Sequence, residues 1–325
     1  MDVADLFSPI IEDLQEVEKA IFKHLDSEIK LIPTICEHIL GSGGKRLRPA
    51  LLLLSAKLFD YRGEERIPLS VAVEYIHTAT LLHDDVVDNS VLRRGKKSAN
   101  SIWGNEASVL VGDFLFAKAF ILMVGCNNLD ILGLLSNATG DLAQGEIFEL
   151  VKTGDINTSI NDYFKIIEKK TAVLFSAACE IGAILANQSI NTRKALNNFG
   201  KNIGIAFQLV DDALDYISTD NVLGKKIGTD LEEGKVTYPL ITALKNSSCK
   251  EEYERAKDIF FKDDHTKEEI DYLKSFVIKN KGIESTIESA NEYINKAKEN
   301  LTDFKNSEVK DSLLKLADFI VKRRF

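Results

Sequence analysis

Cysteine is scarce and scattered. Cys36, Cys126, Cys179 and Cys249 form no CxxC pair, so neither a zinc site nor a disulfide framework is expected, and the chain suits a reducing compartment. Only five prolines occur in 325 residues, which suits a helix bundle. No period-2 alternation is long enough to argue for a sheet. No low-complexity linker or short-period repeat divides the chain. The GxxxxGK[ST] pattern of a Walker loop is absent. Positive charge is outnumbered, and the net charge of −9 argues against general nucleic-acid binding while leaving room for a local basic site. The N-terminus is acidic from Asp2, with no basic n-region or apolar core, so no signal peptide is expected. The greasiest run, residues 109–125, is interrupted by Asp113 and Lys118. It reads as a buried helix rather than a membrane span, and a cytosolic protein is expected.

What is present is helical period. In residues 3–25, Val3, Leu6, Phe7, Ile10, Ile11, Leu14, Val17, Ile21, Phe22 and Leu25 recur at steps of three or four, the mark of an amphipathic helix. Residues 69–88 are apolar nearly all round until a cluster of aspartates, as befits a helix in the middle of a large core. Further helices are expected over 130–150, 161–187, 192–217, 238–245, 267–279, 283–302 and 309–323. The fold class is therefore all-α, a single domain spanning 1–325 with about ten helices. Two Gly- and charge-rich loops, 41–49 and 220–239, are the places for chemistry rather than packing.

The acidic cluster is "LLHDDVVD". Asp84 and Asp88 are four residues apart and share a helix face, with Asp85 about 100° round the axis. Like charges one turn apart repel unless a cation sits between them. A solvated helix end would be the simpler reading of one such motif. A second copy, "FQLVDDALD", places Asp211, Asp212 and Asp215 after another apolar run. If the two helices face one another, carboxylates line a shared cavity. Oxygen donors without histidine or thiolate suit magnesium, which keeps positions for water and substrate phosphates. The implied ligand is a diphosphate ester.

Such a ligand needs further cations. "GGKRLRP" offers Lys45, Arg46 and Arg48. Arg93 and Arg94 follow the first acidic motif, Lys170 opens "KTAVLF", and Lys225, Lys226 and Lys235 follow the second. Arginine forks bind phosphate oxygens bidentately and lysine adds a point charge. Any one of these side chains could be a solvated surface charge. Their places beside the acidic motifs and in Gly-rich loops argue for a shared role.

With these motifs assembled, the sequence resembles the trans-type polyprenyl diphosphate synthases, and among them the bacterial octaprenyl group. The matching stretches are "GGKRLRP", "EYIHTATLLHDDVVD", "RRGK", "ASVLVGDFLFAKAF", "EKKTAVLFSAA", "GIAFQLVDDALDY" and "GKKIGTDLEEGKVTYPL", in order over residues 40–245. The resemblance implies an all-α homodimer of the isoprenoid synthase type around a central cavity, using three magnesium ions per site. It gives metal roles to Asp84, Asp88, Asp211, Asp212 and Asp215, with Asp85 supporting. Arg93, Lys170 and Lys226 would bind an allylic diphosphate such as farnesyl diphosphate. Lys45, Arg48, His77 and Arg94 would bind isopentenyl diphosphate, and Thr171, Gln208 and Lys235 would complete the shell. A lone histidine in an apolar helix is often a core residue, but the place of His77 seven residues before Asp84 favours the binding role. Terpene cyclases and head-to-head condensing enzymes alter one or both acidic motifs, which are both intact here. A non-catalytic subunit of a heteromeric synthase would have lost motif residues.

The growing product must run along the first acidic helix away from Asp84. Ala79 and Thr80, one turn back, then meet it first, and both are small. Ile76 lies a turn further, and Phe120, Met123 or Leu132 could form the floor. An open tunnel of this kind implies a long product near C40, with shorter-chain synthases as the alternative.

Overall fold

A computed structural model describes residues 6–217, 228–262 and 265–322. The chain is all-α, and the helices pack around one continuous apolar cluster that runs from Leu6 to Ile320. After a 3-10 turn at Ser8–Ile10 come α1 (Ile11–Lys23), α2 (Leu31–Leu40) and α3 (Leu47–Lys57). The first acidic helix, α4, spans Arg66–Val87. Its residues from Leu69 to Ile76 are all buried, because it is enclosed by α6 (Asn105–Gly125), α3, α1 and α9 (Val173–Leu185). A helix enclosed on every side needs no polar face. The second acidic helix, α10 (Ile190–Ile217), packs on α9. Gly200 permits the approach, since a Cβ there would stand 2.9 Å from Sγ of Cys179.

The remaining elements are α5 (Ala99–Trp103), α7 (Leu129–Lys152), α8 (Ile160–Ile167), α11 (Thr229–Glu232), α12 (Tyr238–Asn246), α13 (Lys250–Phe260), α14 (Lys267–Lys279), α15 (Gly282–Glu299) and α16 (Glu308–Lys322). Their starts obey local capping chemistry. The Asn128 side chain accepts the Ile131 N–H, and Ser159 with Asp162 and Thr266 with Glu269 form capping boxes, which satisfy N–H groups that have no intrahelical partner.

Several boundaries differ from the sequence pattern. The single helix expected over 161–187 divides into α8, a π-helical turn at Glu168–Ala172, and α9. Of the helix expected over 3–25, the described residues form a 3-10 turn at Ser8–Ile10 and then α1, and Val3 lies outside the described residues. Helices α2, α3 and α13 have no counterpart in that pattern. Residues Ala50–Leu54 of α3 are buried on all sides, so no 3.6-residue stripe marks the helix. The "GSGGKRLRP" loop ends early, and Arg48 lies in the first turn of α3. A small antiparallel hairpin joins β1 (Leu92–Arg93) to β2 (Lys96–Lys97). Its turn holds Arg94 and Gly95 at φ of 52° and 75°, the positive values that a tight hairpin turn requires.

Helix α6 is half-buried rather than buried. It is long and apolar enough to cross a membrane by length and composition. In this fold it lies against α4, while Leu110, Ile121 and Val124 are exposed on its outer face, as are Ile147, Leu150 and Val151 on α7. Phe120 is also exposed, so it is not a tunnel floor within this chain, whereas Met123 is buried.

Candidate active site

The residues of α4 at 77, 81, 84 and 88 fall at alternating steps of four, three and four, which is one face of a helix. His77, Leu81, Asp84 and Asp88 all line a cavity of about 270 Å³. Phe207, Gln208, Asp211 and Asp212 of α10 line it too. Both acidic motifs therefore open onto the same space. Arg48, Arg93, Lys170, Thr171 and Lys235 complete the polar wall, with Thr80, Ile166, Ile167 and Val236 among its less polar members.

The π turn sets the position of Lys170 and Thr171. Gly145 of α7 faces it, and a Cβ at Gly145 would stand 2.8 Å from the backbone N of Lys170. The extra residue that such a turn inserts re-aims side chains, which is why these turns gather at functional sites. From it the Lys170 ammonium reaches Glu146 at 2.7 Å and Glu149 at 2.6 Å. Lys235 pairs with Asp88 at 3.1 Å and Glu233 at 2.7 Å. Burial works against the charge of Lys170, but Glu149, Asp84 and Glu146 outweigh it and hold the pKa well above the ordinary lysine range. Lys235 is likewise raised against burial by Glu149, Asp88 and Glu233.

The carboxylates are under strain of the opposite kind. Burial raises the Asp84 pKa, and Asp88 and Glu149 add repulsion, while Lys170 and Arg93 oppose the rise. Burial pushes Asp212 up to about 7, helped by Asp211 and Glu149. Glu146 rises to about 7 by burial and by Asp84, against the pull of Lys170. Acids crowded this way call for cations between them. Among the described residues no group of three His, Cys, Asp or Glu side chains forms a closed metal cage. That fits magnesium, which takes one or two carboxylates and leaves the rest of its shell to water and phosphate. The donor set is all oxygen, as a hard cation requires.

Not every residue singled out in the sequence reaches this wall. Asp85 is buried behind it and accepts the Arg93 Nε–H at 2.7 Å, which aims that guanidinium. Asp215 also lies off the wall: its side chain accepts the Asp230 N–H at 3.2 Å, and its carbonyl accepts the Gly228 N–H. These contacts tie it to the segment leading into α11. Asp212 is on the wall with both oxygens engaged, by Tyr163 Oη at 2.5 Å and Gln208 Nε2 at 2.8 Å, and Thr171 Oγ1 donates to Gln208. Lys45 lies off the wall, its ammonium 5.2 Å from the Phe319 ring centre. Arg94 is at the exposed hairpin turn. Ala79, Ile76 and Met123 are in the core beside the wall rather than on it. Lys226, with Lys225, lies outside the described residues.

Arg48 carries the clearest sign of an anion site. Its guanidinium stacks 4.5 Å from the Phe175 ring centre, and its buried Nε has no hydrogen-bond partner among the described residues. Burial brings its pKa down to about 10 against the pull of Glu74 and Asp211. His77 is pushed well below its ordinary value by burial and by Arg48, Arg94, Arg93 and Arg46, so its imidazole is neutral. Sequence reasoning missed Glu146, Glu149, Tyr163 and Asp230, all on the wall. The only signal for the two glutamates was their i, i+3 spacing in "GEIFE", which surface helices share.

A family model described as polyprenyl synthetase matches residues 29–277. The chain belongs to the polyprenyl synthetase family. It is a trans-prenyltransferase. An octaprenyl diphosphate synthase from Haemophilus influenzae is 39% identical over 313 residues, 96% of this chain and 94% of that one. A polyprenyl synthase from Caulobacter crescentus, solved with calcium and isoprenyl diphosphate, superposes with a TM-score of 0.95 at 42% identity, covering 100% of this chain and 98% of that one. A decaprenyl diphosphate synthase from Rhodobacter capsulatus gives 0.93 at 37%, covering 99% of both. This polyprenyl synthetase thus has the isoprenoid synthase fold throughout, including α13 to α16, where its sequence motifs are silent.

The raised acids make stability depend on pH. Carboxyls titrate near 4 in an unfolded chain, so the metal-free protein holds extra protons between about pH 4 and 7 and loses that contribution as pH rises through about 7. The melting temperature of metal-free protein should fall from about pH 5.5 to 7.5, and fall less in Glu146→Gln. Equal slopes in the two proteins would contradict the assignment.

Proposed function

We propose that the enzyme adds isopentenyl diphosphate units to an allylic diphosphate such as farnesyl diphosphate, giving an all-trans polyprenyl diphosphate near C40. The observation that carries this reading is the convergence of Asp84, Asp88 and Asp211 with Arg48, Arg93 and Lys170 on one cavity. Asp84, Asp88 and Asp211, with Asp212 and Asp215 nearby, would hold magnesium, three ions per site, which would supply the charge that makes the allylic diphosphate a leaving group. Arg93, Lys170 and Lys226 bind that diphosphate, with Thr171, Gln208 and Lys235 around it. Lys45, Arg48, His77 and Arg94 bind isopentenyl diphosphate.

The carbon–oxygen bond of the allylic substrate breaks and leaves an allylic cation. The double bond of isopentenyl diphosphate attacks that carbon, and a proton passes to the departing pyrophosphate. No side-chain nucleophile is required. Leu81, Ile166, Ile167, Phe207 and Val236 keep water from the cation, as carbocation chemistry demands. Neutral His77 offers one N–H to a phosphate oxygen and is no proton source at neutral pH.

The product tail runs along α4 from Asp84 past Thr80 and Ala79 towards Ile76, with Met123 at the far end. The names of the relatives, octaprenyl and decaprenyl synthases, support a long product. The whole chain acts as one domain, since buried side chains from both ends join one cluster. Two copies pair through the outer faces of α6 and α7, where Leu110, Ile121, Val124, Ile147, Leu150 and Val151 stand exposed and a partner surface would cover them. A cytosolic enzyme with this apolar face turned inward in a dimer is the reading we favour.

With radiolabelled isopentenyl diphosphate, farnesyl diphosphate and magnesium, Asp84→Ala and Asp211→Ala should each lower turnover by about 100-fold or more with the helical signal intact. Near-normal rates in either would contradict the metal roles. Ala79→Tyr should shorten the product on reversed-phase chromatography, and an unchanged length would refute the tunnel path. Ile121→Arg should move the protein from dimer to monomer mass in light scattering. A wild-type monomer would dismiss the proposed pairing.

A further inference from the structure

The face of α4 that carries His77, Leu81, Asp84 and Asp88 continues one turn towards the N-terminus to Glu74, three residues before His77. Glu74 is only 5% exposed and does not line the cavity. Its Oε1 accepts the Arg46 Nη1–H at 2.7 Å. Arg46 is the left-handed residue, φ 46°, from which α3 starts, and it is tied again to Glu18 and to the Leu40 carbonyl at 3.0 Å. Arg48 follows two residues later. Gly44 lies between two guanidiniums: a Cβ there would stand 3.3 Å from Nη1 of Arg46 and 3.2 Å from Nη1 of Arg94.

Four arginines therefore gather at this end of the cavity, and Arg46, Arg48, Arg93 and Arg94 all act on His77. Arg94 and Arg48 repel each other, and Glu74 is the anion that attracts both. Glu18 reaches Arg46 from the more exposed side, and Asp211 acts on Arg48 from the metal end. Such a cluster without a buried acid would spread into water, and its forks would lose their orientation.

We infer that Glu74 is a positioning residue for the isopentenyl diphosphate subsite: it clamps Arg46 at the start of α3, two residues before Arg48 and across Gly44 from Arg94, before that substrate binds. This rests on the assignment of Arg48, His77 and Arg94 to isopentenyl diphosphate. The clamp acts by preorganisation, since forks already aimed lose less freedom on binding.

Two physical roles for Glu74 predict opposite signs. If it merely lowered the positive potential, removing its charge would tighten binding of an anionic substrate. If it positions the arginines, the same change weakens binding. Steady-state kinetics on full-length Glu74→Gln, which keeps shape but loses charge, should show KM for isopentenyl diphosphate up by about 10-fold, with KM for farnesyl diphosphate within about 2-fold and kcat changed less than KM. An unchanged or lower KM for isopentenyl diphosphate would overturn the inference. Glu74→Asp, which keeps charge but withdraws it by one methylene, should give the same selective rise and serves equally if the Gln variant does not fold. Arg94→Ala in the same assay separates the two layers. If it too leaves that KM unchanged, the subsite assignment fails. If it raises KM while neither Glu74 variant does, only the role of Glu74 fails.

Discussion

Mutual repulsion among buried carboxylates governs this molecule. Two helices carry aspartates just after apolar runs, and the fold turns Asp84, Asp88, Asp211 and Asp212 into one cavity of about 270 Å³. Taken from water, Asp84 and Asp212 resist ionisation. Neighbouring lysines relieve part of the tension, but Lys170 and Lys235 already serve Glu146, Glu149, Glu233 and Asp88. Under the proposed function a divalent ion with a diphosphate would complete the balance, the cation neutralising the acids and the phosphate oxygens filling its shell. Binding and chemistry then draw on the same electrostatic deficit.

The scaffold sustains that deficit by packing its apolar helices around it. Helix α4 is enclosed along residues 69–76, and its acids lie at the far end, where it opens onto the cavity. The π turn at Glu168–Ala172 presents Lys170 and Thr171 to the cavity, and Gly145 leaves the room for it. On the other side, the left-handed Arg46 and the tight Arg94–Gly95 turn deliver guanidiniums from two separate loops. Acidic and basic groups thus come from different elements, and their separation is set by helix packing rather than by local sequence.

Much of this was legible from residues alone, for a physical reason. Charged residues at the ends of apolar helices break the hydrophobic pattern, so Asp84, Asp88 and Asp211 announce themselves, as do Arg48 in its Gly-rich context and Lys170. What stayed hidden depended on three-dimensional partners. Asp215 matches Asp88 in its motif, and its contacts with Gly228 and Asp230 appear only in three dimensions. Residues Glu168–Ala172 have ordinary helical composition, so nothing marks the π turn. Glu146 and Glu149 look like a solvated helix face until Lys170 arrives. The leucines of α3 are buried on every side and so show no stripe. Ala79, Ile76 and Met123 lie on helices but off the cavity wall, a difference of helical face that spacing could not resolve, and Lys45, in the loop before α3, lies off it too.

The central claim is that the cavity binds a diphosphate through a divalent ion rather than through its basic side chains alone. Calorimetric titration of the metal-free protein with inorganic pyrophosphate, with and without magnesium, tests it most directly. The account predicts tight binding only when magnesium is present, at a stoichiometry of one pyrophosphate per chain. Equal affinity in the presence of a chelator would contradict it.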